Sequence, residues 1–395
     1  MKTVRVGLVG SQFVSTLHAE SLKRVAGAEL FGVASPTGDH AEKFATKHGV
    51  KHHFKDYRKL LESPEIDMIV IGCPNAMHCE VTEAAAGAGK HVVCEKPMAT
   101  NLAEADRMIA SCRKAGVKLM YAEELCFTPK YVRLKRLLDE GALGVPYLIK
   151  QSEKHDGPHS EWFWDVNQSG GGATLDMGCH AFEFFRWMLG KPRGTTGTRT
   201  GGIEDRQTQS HETPLGRVVL LEKPKAVSVY ADMGTFVHKA KTKGDDNAVI
   251  LVRFETDEGE VVGMAEESWA KKGGMDDTAE VYGSGGVAYA DLLQGNSILT
   301  YSDGGYSYAV EKAGTTRGWS FAAFEELWNY GFPQEFAHFV DCVAHDREPL
   351  ETGADGRAVL EIVLAAYASA GSGRKVMLPY ETEAKRPIDL WKAGK

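Results

Sequence analysis

Two short stretches about eighty residues apart carry side chains suited to proton transfer. Cys94-Glu95-Lys96-Pro97 closes an apolar run and puts an ammonium at the carboxyl end of an expected strand. Gly170-Gly171-Gly172-Ala173-Thr174-Leu175-Asp176-Met177-Gly178-Cys179-His180 sets a carboxylate four positions before an imidazole, on one face if the segment is helical. Oxidation of a secondary alcohol needs a base for the hydroxyl proton while hydride leaves the same carbon. An imidazole suits that task because its ordinary pKa lies near neutral pH. A rigidly held lysine can hydrogen-bond the same oxygen and stabilise developing alkoxide charge, with Pro97 restricting the local φ.

Taken singly, each residue has an ordinary reading. A lysine after a strand is usually solvated, an aspartate before a helix usually caps it, and a histidine ahead of an apolar run such as Ala181–Leu189 usually packs in a core. Only the combination, following a nucleotide-fold pattern, points to chemistry. A second Glu222-Lys223-Pro224 ends no comparable strand and reads as a surface turn.

The elements that must position these groups follow from hydrophobic periodicity. Short β-rich runs at Val4–Val9, Glu29–Ala34, Met68–Ile71, His91–Cys94 and Lys118–Tyr121 alternate with helical patterns at Val14–Val25, Asp39–His48, Asn75–Ala88 and Leu102–Ala115. That alternation predicts a doubly wound parallel sheet with crossover helices. The pattern then changes, and the expected division is a Rossmann domain over 1–123 and an α+β domain over 124–395 with a large, mostly antiparallel sheet. Its elements are helices at Pro129–Asp139, Leu175–Leu189, Pro333–Ala344 and Gly356–Ala370, and strands at Tyr147–Glu153, Ala226–Ala231, Ala248–Phe254, Val261–Glu267 and Ala279–Tyr282. Arg193–Thr213 reads as a long loop, and Gly295–Gly318 is poorly patterned.

The turn after the first strand reads Gly7-Leu8-Val9-Gly10-Ser11-Gln12-Phe13-Val14-Ser15. Glycine serves dinucleotide turns because main-chain amides must approach the pyrophosphate. Gly10 holds the first fingerprint position, whereas Gln12 and Ser15 stand at the second and third. Alone, this turn fits a non-nucleotide α/β domain equally well. At the end of the second strand Ser35 stands where an acid normally binds the ribose, no arginine follows to take a 2′-phosphate, and Asp39 is nearby.

The two motifs, in this order after that turn, resemble the Gfo/Idh/MocA family of NAD(P)-dependent sugar and polyol oxidoreductases over nearly the whole chain. The resemblance implies Lys96, Asp176 and His180 as the catalytic set, with His180 the acid/base and Asp176 positioning it or a substrate hydroxyl. It implies cofactor contacts from Gly10, Gln12, Phe13, Val14, Ser35, Glu95 and Lys96, and from Pro74, Asn75 and His78 in the loop after the third of these strands. As an ordinary alternative, Asn75 caps the following helix. The cofactor is NAD or NADP, with NAD favoured, and a homodimer or homotetramer is implied.

One cluster has no place in the generic family pattern. Glu123 and Glu124 follow the last Rossmann strand, and Glu153-Lys154-His155-Asp156-Gly157-Pro158-His159 precedes Trp162-Phe163-Trp164. Glu123, Glu153, His155, His159, Trp162 and Trp164 are expected to border the substrate beside Lys96, Asp176 and His180, hydrogen-bonding sugar hydroxyls while the tryptophans stack on a ring face. A divalent metal is disfavoured because no tight ligand spacing is present. The expected activity is oxidation or reduction at a ring carbon of a sugar, glycoside or cyclitol. The alternative is an oxidative glycosidase or lyase with transient oxidation and recycled cofactor, for which the acid-rich cluster would serve as an additional base. A non-catalytic sensor on the same fold is a further rival.

Bulk properties exclude other classes. At 395 residues the chain exceeds the usual reach of one hydrophobic core. A net charge of −8 without a basic run argues against nucleic-acid or membrane-surface binding. Seven scattered cysteines suggest no disulfide framework, no apolar run approaches a spanning helix, and Met1-Lys2-Thr3 leads directly into the first strand, so a cytoplasmic protein is expected.

Overall fold

The computed structural model describes residues 3–393 except 199–201, 205–207, 294–296, 303–317 and 324–325. The chain divides into two compact units. The first comprises residues 1–124, 210–220 and 331–360, and the second comprises 125–209, 221–330 and 361–395.

In the first unit, strands β1 (Val4–Val9), β2 (Ala28–Ala34), β3 (His52–Phe54), β4 (Met68–Ile71), β5 (His91–Glu95) and β6 (Leu119–Ala122) form one sheet in the order β3-β2-β1-β4-β5-β6. Every pairing is parallel. Strands β4 and β6 are buried along their whole length, as a sheet covered on both faces requires. Helices α1 (Phe13–Leu22), α2 (His40–His48), α3 (Tyr57–Leu61), α4 (His78–Gly87) and α5 (Leu102–Ala115) make the crossovers. Local chemistry sets their ends: the Asn101 side chain accepts the Glu104 N–H at 2.9 Å to start α5, and Gly116 ends it at φ 68°. Sequence order reverses between β2-β1 and β4-β5, the switch point where such sheets open a crevice at their carboxyl ends.

The expectation of one continuous second domain over 124–395 differs from this division, because the chain returns to the first unit. Helix Phe332–Ala344 lays Phe336, Phe339, Val340 and Val343 against Val4, Val6, Leu8, Ala19 and Leu22 in one buried cluster. That helical spacing of apolar residues completes the core over β1 and α1.

In the second unit, α6 (Pro129–Asp139) precedes β7 (Pro146–Lys154), which joins a seven-stranded sheet. Its order is Gly286–Asp291, Asp276–Gly283, β7, Gly259–Ser268, Asn247–Thr256, Ala226–Gly234 and Val376–Met377. Only the pairing of β7 with Gly259–Ser268 is parallel. Asn247–Thr256 alternates buried and exposed residues, so one sheet face is covered and the other open. Helix Gly178–Leu189, buried all round, lies on the covered face so closely that a Cβ at Gly263 would stand 2.5 Å from the Phe185 ring.

The single helix expected over Leu175–Leu189 is broken at Met177 into Ala173–Asp176 and Gly178–Leu189. The short helix is anchored from outside: Asp245 Oδ2 accepts the Thr174 N–H at 2.7 Å, and the Asp245 carbonyl accepts the Ala173 N–H at 2.9 Å. The preceding glycines permit this contact, since a Cβ at Gly172 would meet the Asp245 carbonyl oxygen at 2.0 Å and one at Gly171 the Tyr367 hydroxyl at 2.5 Å.

Lys223 is not on a surface turn. Its side chain is 4% exposed, and Nζ pairs at 2.7 Å with Glu183, which also binds Arg186. Within the expected loop 193–213, Thr196–Thr198 pairs with Gly202–Glu204. The poorly patterned 295–318 lies mostly outside the described residues. Among the described residues no helix is long and apolar enough to cross a membrane.

Candidate active site

The first unit gathers the residues expected at the cofactor site at the carboxyl ends of the parallel strands. Gly10 follows β1 at φ 116°, and a Cβ there would stand 2.4 Å from the Gly72 carbonyl oxygen, so both backbone and space demand glycine. Ser15 is buried and its hydroxyl would lie 3.2 Å from a Cβ at Gly72, so a small residue here lets α1 approach the β4 loop. Gln12 is the exposed N-cap of α1 and makes no side-chain cap bond. The first-turn amides are therefore not consumed by a cap, and Gln12 turns outward beside Phe13 and Val14. A glycine that only glycine can occupy, followed by an uncapped helix start, fits a dinucleotide pyrophosphate.

Ser35 ends β2, where its N–H donates to the Phe54 carbonyl at 3.0 Å and its side chain is buried. Asp39 is paired with Lys43 at 2.8 Å, which lowers its pKa. After β4, Pro74 precedes a 3-10 turn at Asn75–Met77, with Asn75 buried. The α4 N-cap is Met77, so capping does not account for Asn75. His78 is buried with Nδ1 3.0 Å from the Pro97 carbonyl and Nε2 2.9 Å from that of Cys73. Burial pushes its pKa down against the pull of those carbonyls, and a neutral ring donates to only one of them. Both ring nitrogens are thus turned to main chain, and His78 clasps the β4 loop to the loop carrying Lys96.

Glu95 ends β5 with Oε1 2.7 Å from His18 Nε2, while Oε2 accepts the Lys96 N–H at 3.2 Å. The carboxylate braces the main chain from which half-buried Lys96 projects. Glu123 and Glu124 follow β6, both buried, and Glu335 of the returning helix joins them with no exposed surface. Burial, then the charges of Glu124, Glu95 and Glu123, push the Glu335 carboxyl well above its ordinary range.

The second unit presents Asp176 and His180 on the two helices that meet at Met177, 6% and 3% exposed. Trp269, just beyond strand Gly259–Ser268, donates its indole N–H to Asp176 Oδ2 at 3.0 Å. Its own N–H donates to the Asp246 carbonyl at 2.9 Å, and the neighbouring Ser268 carbonyl accepts the His155 N–H at 2.8 Å. Glu153 and His155, at the end of β7, are therefore tied to the strand end that orients Asp176. His155 Nδ1 accepts the Gly157 N–H at 3.0 Å, which leaves Nε2 to carry the proton of the neutral ring.

Gly157, at φ 88°, leaves room for the Trp164 ring, which would lie 2.6 Å from a Cβ there. Trp164 packs edge-on against Trp269 at 5.3 Å between ring centroids, and Lys241 Nζ stands 4.9 Å over its face. Trp162 stacks on Phe163 at 3.8 Å. His159 is exposed on the intervening turn. The structure thus groups Glu153, His155 and Asp176 through Trp269, which sequence reasoning missed. Also missed were Glu267 and Asp277, buried beside Glu153 on the neighbouring strands.

Residues 4–123 match the model of the GFO_IDH_MocA oxidoreductase family, NAD-binding Rossmann fold, and 135–378 match its C-terminal alpha/beta domain. The chain is 28% identical to myo-inositol 2-dehydrogenase of Thermotoga maritima over 95% of this chain and 98% of that protein. It is 26% identical to the NAD(+)-dependent scyllo-inositol 2-dehydrogenase of Bacillus subtilis over 95% and 96% respectively. Among solved structures it is similar to GenD2 from gentamicin A biosynthesis in complex with NAD, with a TM-score of 0.81 and 28% identity over 96% of this chain and 97% of that one.

Proposed function

Because the chain belongs to the Gfo/Idh/MocA oxidoreductase family, an NAD(P)-dependent group of enzymes, we propose that it oxidises, or in reverse reduces, a ring hydroxyl of a sugar, glycoside or cyclitol. The observation that carries this reading is the tether of Asp176 by the Trp269 indole, beside buried His180 and at a strand end shared with Glu153 and His155. The inositol dehydrogenases matched over nearly full length support a cyclitol or sugar as substrate.

His180 takes the hydroxyl proton in the oxidative direction and returns it in the reductive one. Asp176, aimed by Trp269, orients that imidazole or a neighbouring substrate hydroxyl. Lys96, on main chain braced by Glu95, stabilises the alkoxide oxygen. When bound, the nicotinamide ring accepts the hydride. The uncapped start of α1 and the glycine cradle at Gly10 bind its diphosphate. Glu153, His155 and the aromatic pair Trp162 and Trp164 contact the sugar. NAD is favoured, since no arginine stands beside Ser35 to bind a 2′-phosphate. Tyr230, Val249 and Leu251 expose apolar surface on the open face of the second sheet, which supports self-association.

The test is a panel of cyclitols, aldoses and glycosides followed by NADH absorbance. Net NADH formation is expected on at least one free polyol. Replacing Lys96 by Met, or His180 by Ala, should then lower kcat by at least about a hundredfold, the size of a lost general acid/base, while cofactor affinity stays within a small factor. Aglycone release without net NADH would instead indicate the eliminating reaction, and near wild-type turnover in either variant would sink the assignment of that residue.

A further inference from the structure

Three adjacent strands of the second unit place acids side by side. Glu153 of β7 is in register with Glu267 on one side and with Asp277 on the other. All three belong to the covered face and are at most 7% exposed. Asp277 Oδ1 accepts the Tyr131 hydroxyl at 2.5 Å and, more distantly, the Gln151 amide at 3.4 Å.

Glu267 differs from its neighbours. It is 1% exposed, and among the described residues neither carboxylate oxygen has a partner within hydrogen-bond geometry, although the Glu153 main chain comes close enough to offset part of the rise in its pKa. Lys154, next to Glu153, is engaged at 2.6 Å with Glu266 on the opposite face, and Lys271 and Lys272, which follow Glu267 in the chain, pair with Asp276 at 2.9 Å and Asp156 at 2.6 Å. The Gln151 amide, held at the same cluster by Asp277, also keeps an unpartnered buried oxygen. An unpaired carboxylate beside two others is costly unless it takes up a proton or a cation meets it.

We propose that Glu267, flanked by Glu153 and Asp277, binds the ammonium group of an amino-substituted sugar or cyclitol. This rests on the reading of Glu153 as a substrate-binding residue. Burial, then the charges of Glu153 and Asp277, push the Glu267 carboxyl well above its ordinary range, and a positive charge placed among them removes that repulsion. The row suits an amine better than a metal. Strands repeat every ~4.8 Å, so the outer two acids stand roughly 10 Å apart at the backbone. Among the described residues, no choice of one oxygen from each brings all three within 4.8 Å of one another, as ligation of one divalent ion by all three needs. An ammonium uses separate directional N–H donors and can bridge two of the three.

The experiment compares matched sets, D-glucosamine, D-glucose and N-acetyl-D-glucosamine, and scyllo-inosamine with scyllo-inositol. Both NADH formation and calorimetric binding in the presence of NAD are measured. The amine should bind at least about tenfold more tightly than the alcohol, and the acetamide should bind more weakly than either. Glu267→Gln should erase the preference for the amine. The wild-type ranking carries the test even if that variant does not fold. Equal or weaker binding of the amines, or a preference that survives Glu267→Gln, overturns the proposal. So does a preference abolished by EDTA and restored by Mg2+ or Ca2+, which makes the row a metal site. Turnover of neutral polyols without an amine preference defeats this inference alone, whereas no turnover and no binding of any member defeats the dehydrogenase reading as well.

Discussion

Acid should loosen the first unit through one histidine. His338, in helix Phe332–Ala344, has no exposed surface, and its Nε2 accepts the Leu350 N–H at 2.8 Å, a role open only to the unprotonated nitrogen. Burial, then the nearby His211 and Arg347, push its pKa down to about 3. In the unfolded chain the ring titrates near ~6.5. The folded form therefore binds fewer protons below that pH, so this contribution to stability is complete above ~6.5 and is lost as pH falls towards the folded value. At ~1.4 kcal/mol per pH unit, the loss is about 2–3 kcal/mol at pH 4.5 and roughly 4–5 kcal/mol over the whole window. Either is a large part of the 5–15 kcal/mol that typically holds a domain together. Urea unfolding between pH 7.5 and 4.5 should be run on the wild type and on His338→Gln, whose amide oxygen can accept the Leu350 N–H without titrating. Taking the difference between the two proteins cancels every other titrating group. Wild type should lose about 2 kcal/mol more than the variant. Parallel curves would show that His338 is not held neutral, and the reasoning would fail.

Trp269→Phe removes the indole N–H from Asp176 while keeping an aromatic ring. A hydrogen bond to a charged group is worth about 1.5–3 kcal/mol, so kcat should fall roughly tenfold to a hundredfold, with little further loss when Asp176→Asn is already present. Additive effects in that double-mutant cycle would show that the tether does not act through Asp176. Because Ser35 replaces the ribose-binding acid, discrimination between NAD and NADP should be modest, and Ser35→Asp should shift the kcat/KM ratio towards NAD by adding an acceptor and a repulsive charge. Absolute rejection of NADP by the wild type, unchanged in the variant, would place cofactor choice on another residue.

What could be read from the chain was whatever local pattern alone determines. Strands β1, β4 and β5 are buried on both faces, so their apolar runs locate them closely, and Asn101 and Gly116 mark the ends of α5. His52–Phe54 and Tyr57–Leu61 escaped notice because a three-residue edge strand and a five-residue helix carry too little periodicity. The break at Met177 depends on Asp245, whose contact with Gly172 joins residues more than seventy positions apart. Trp269, Glu267 and Glu335 gain their meaning from strand register and from a returning helix, neither of which leaves a local trace. Lys223 looked like a solvated turn residue because the buried Glu183 that receives it lies forty positions earlier.

The returning helix also bears on how the protein is made. The six parallel strands are all synthesised by residue 122, yet Phe336, Phe339, Val340 and Val343, which seal Val4, Val6 and Leu8, emerge some two hundred residues later. At ~5–20 residues per second on the ribosome, the nascent sheet waits roughly ten to forty seconds with an apolar face uncovered. A fragment ending near residue 124 never closes that face at all, so an isolated nucleotide-binding half should be insoluble or chaperone-bound. A circularly permuted chain that begins near residue 331 would deliver the helix before any strand of the sheet, so that β1 meets its cover as soon as it is made.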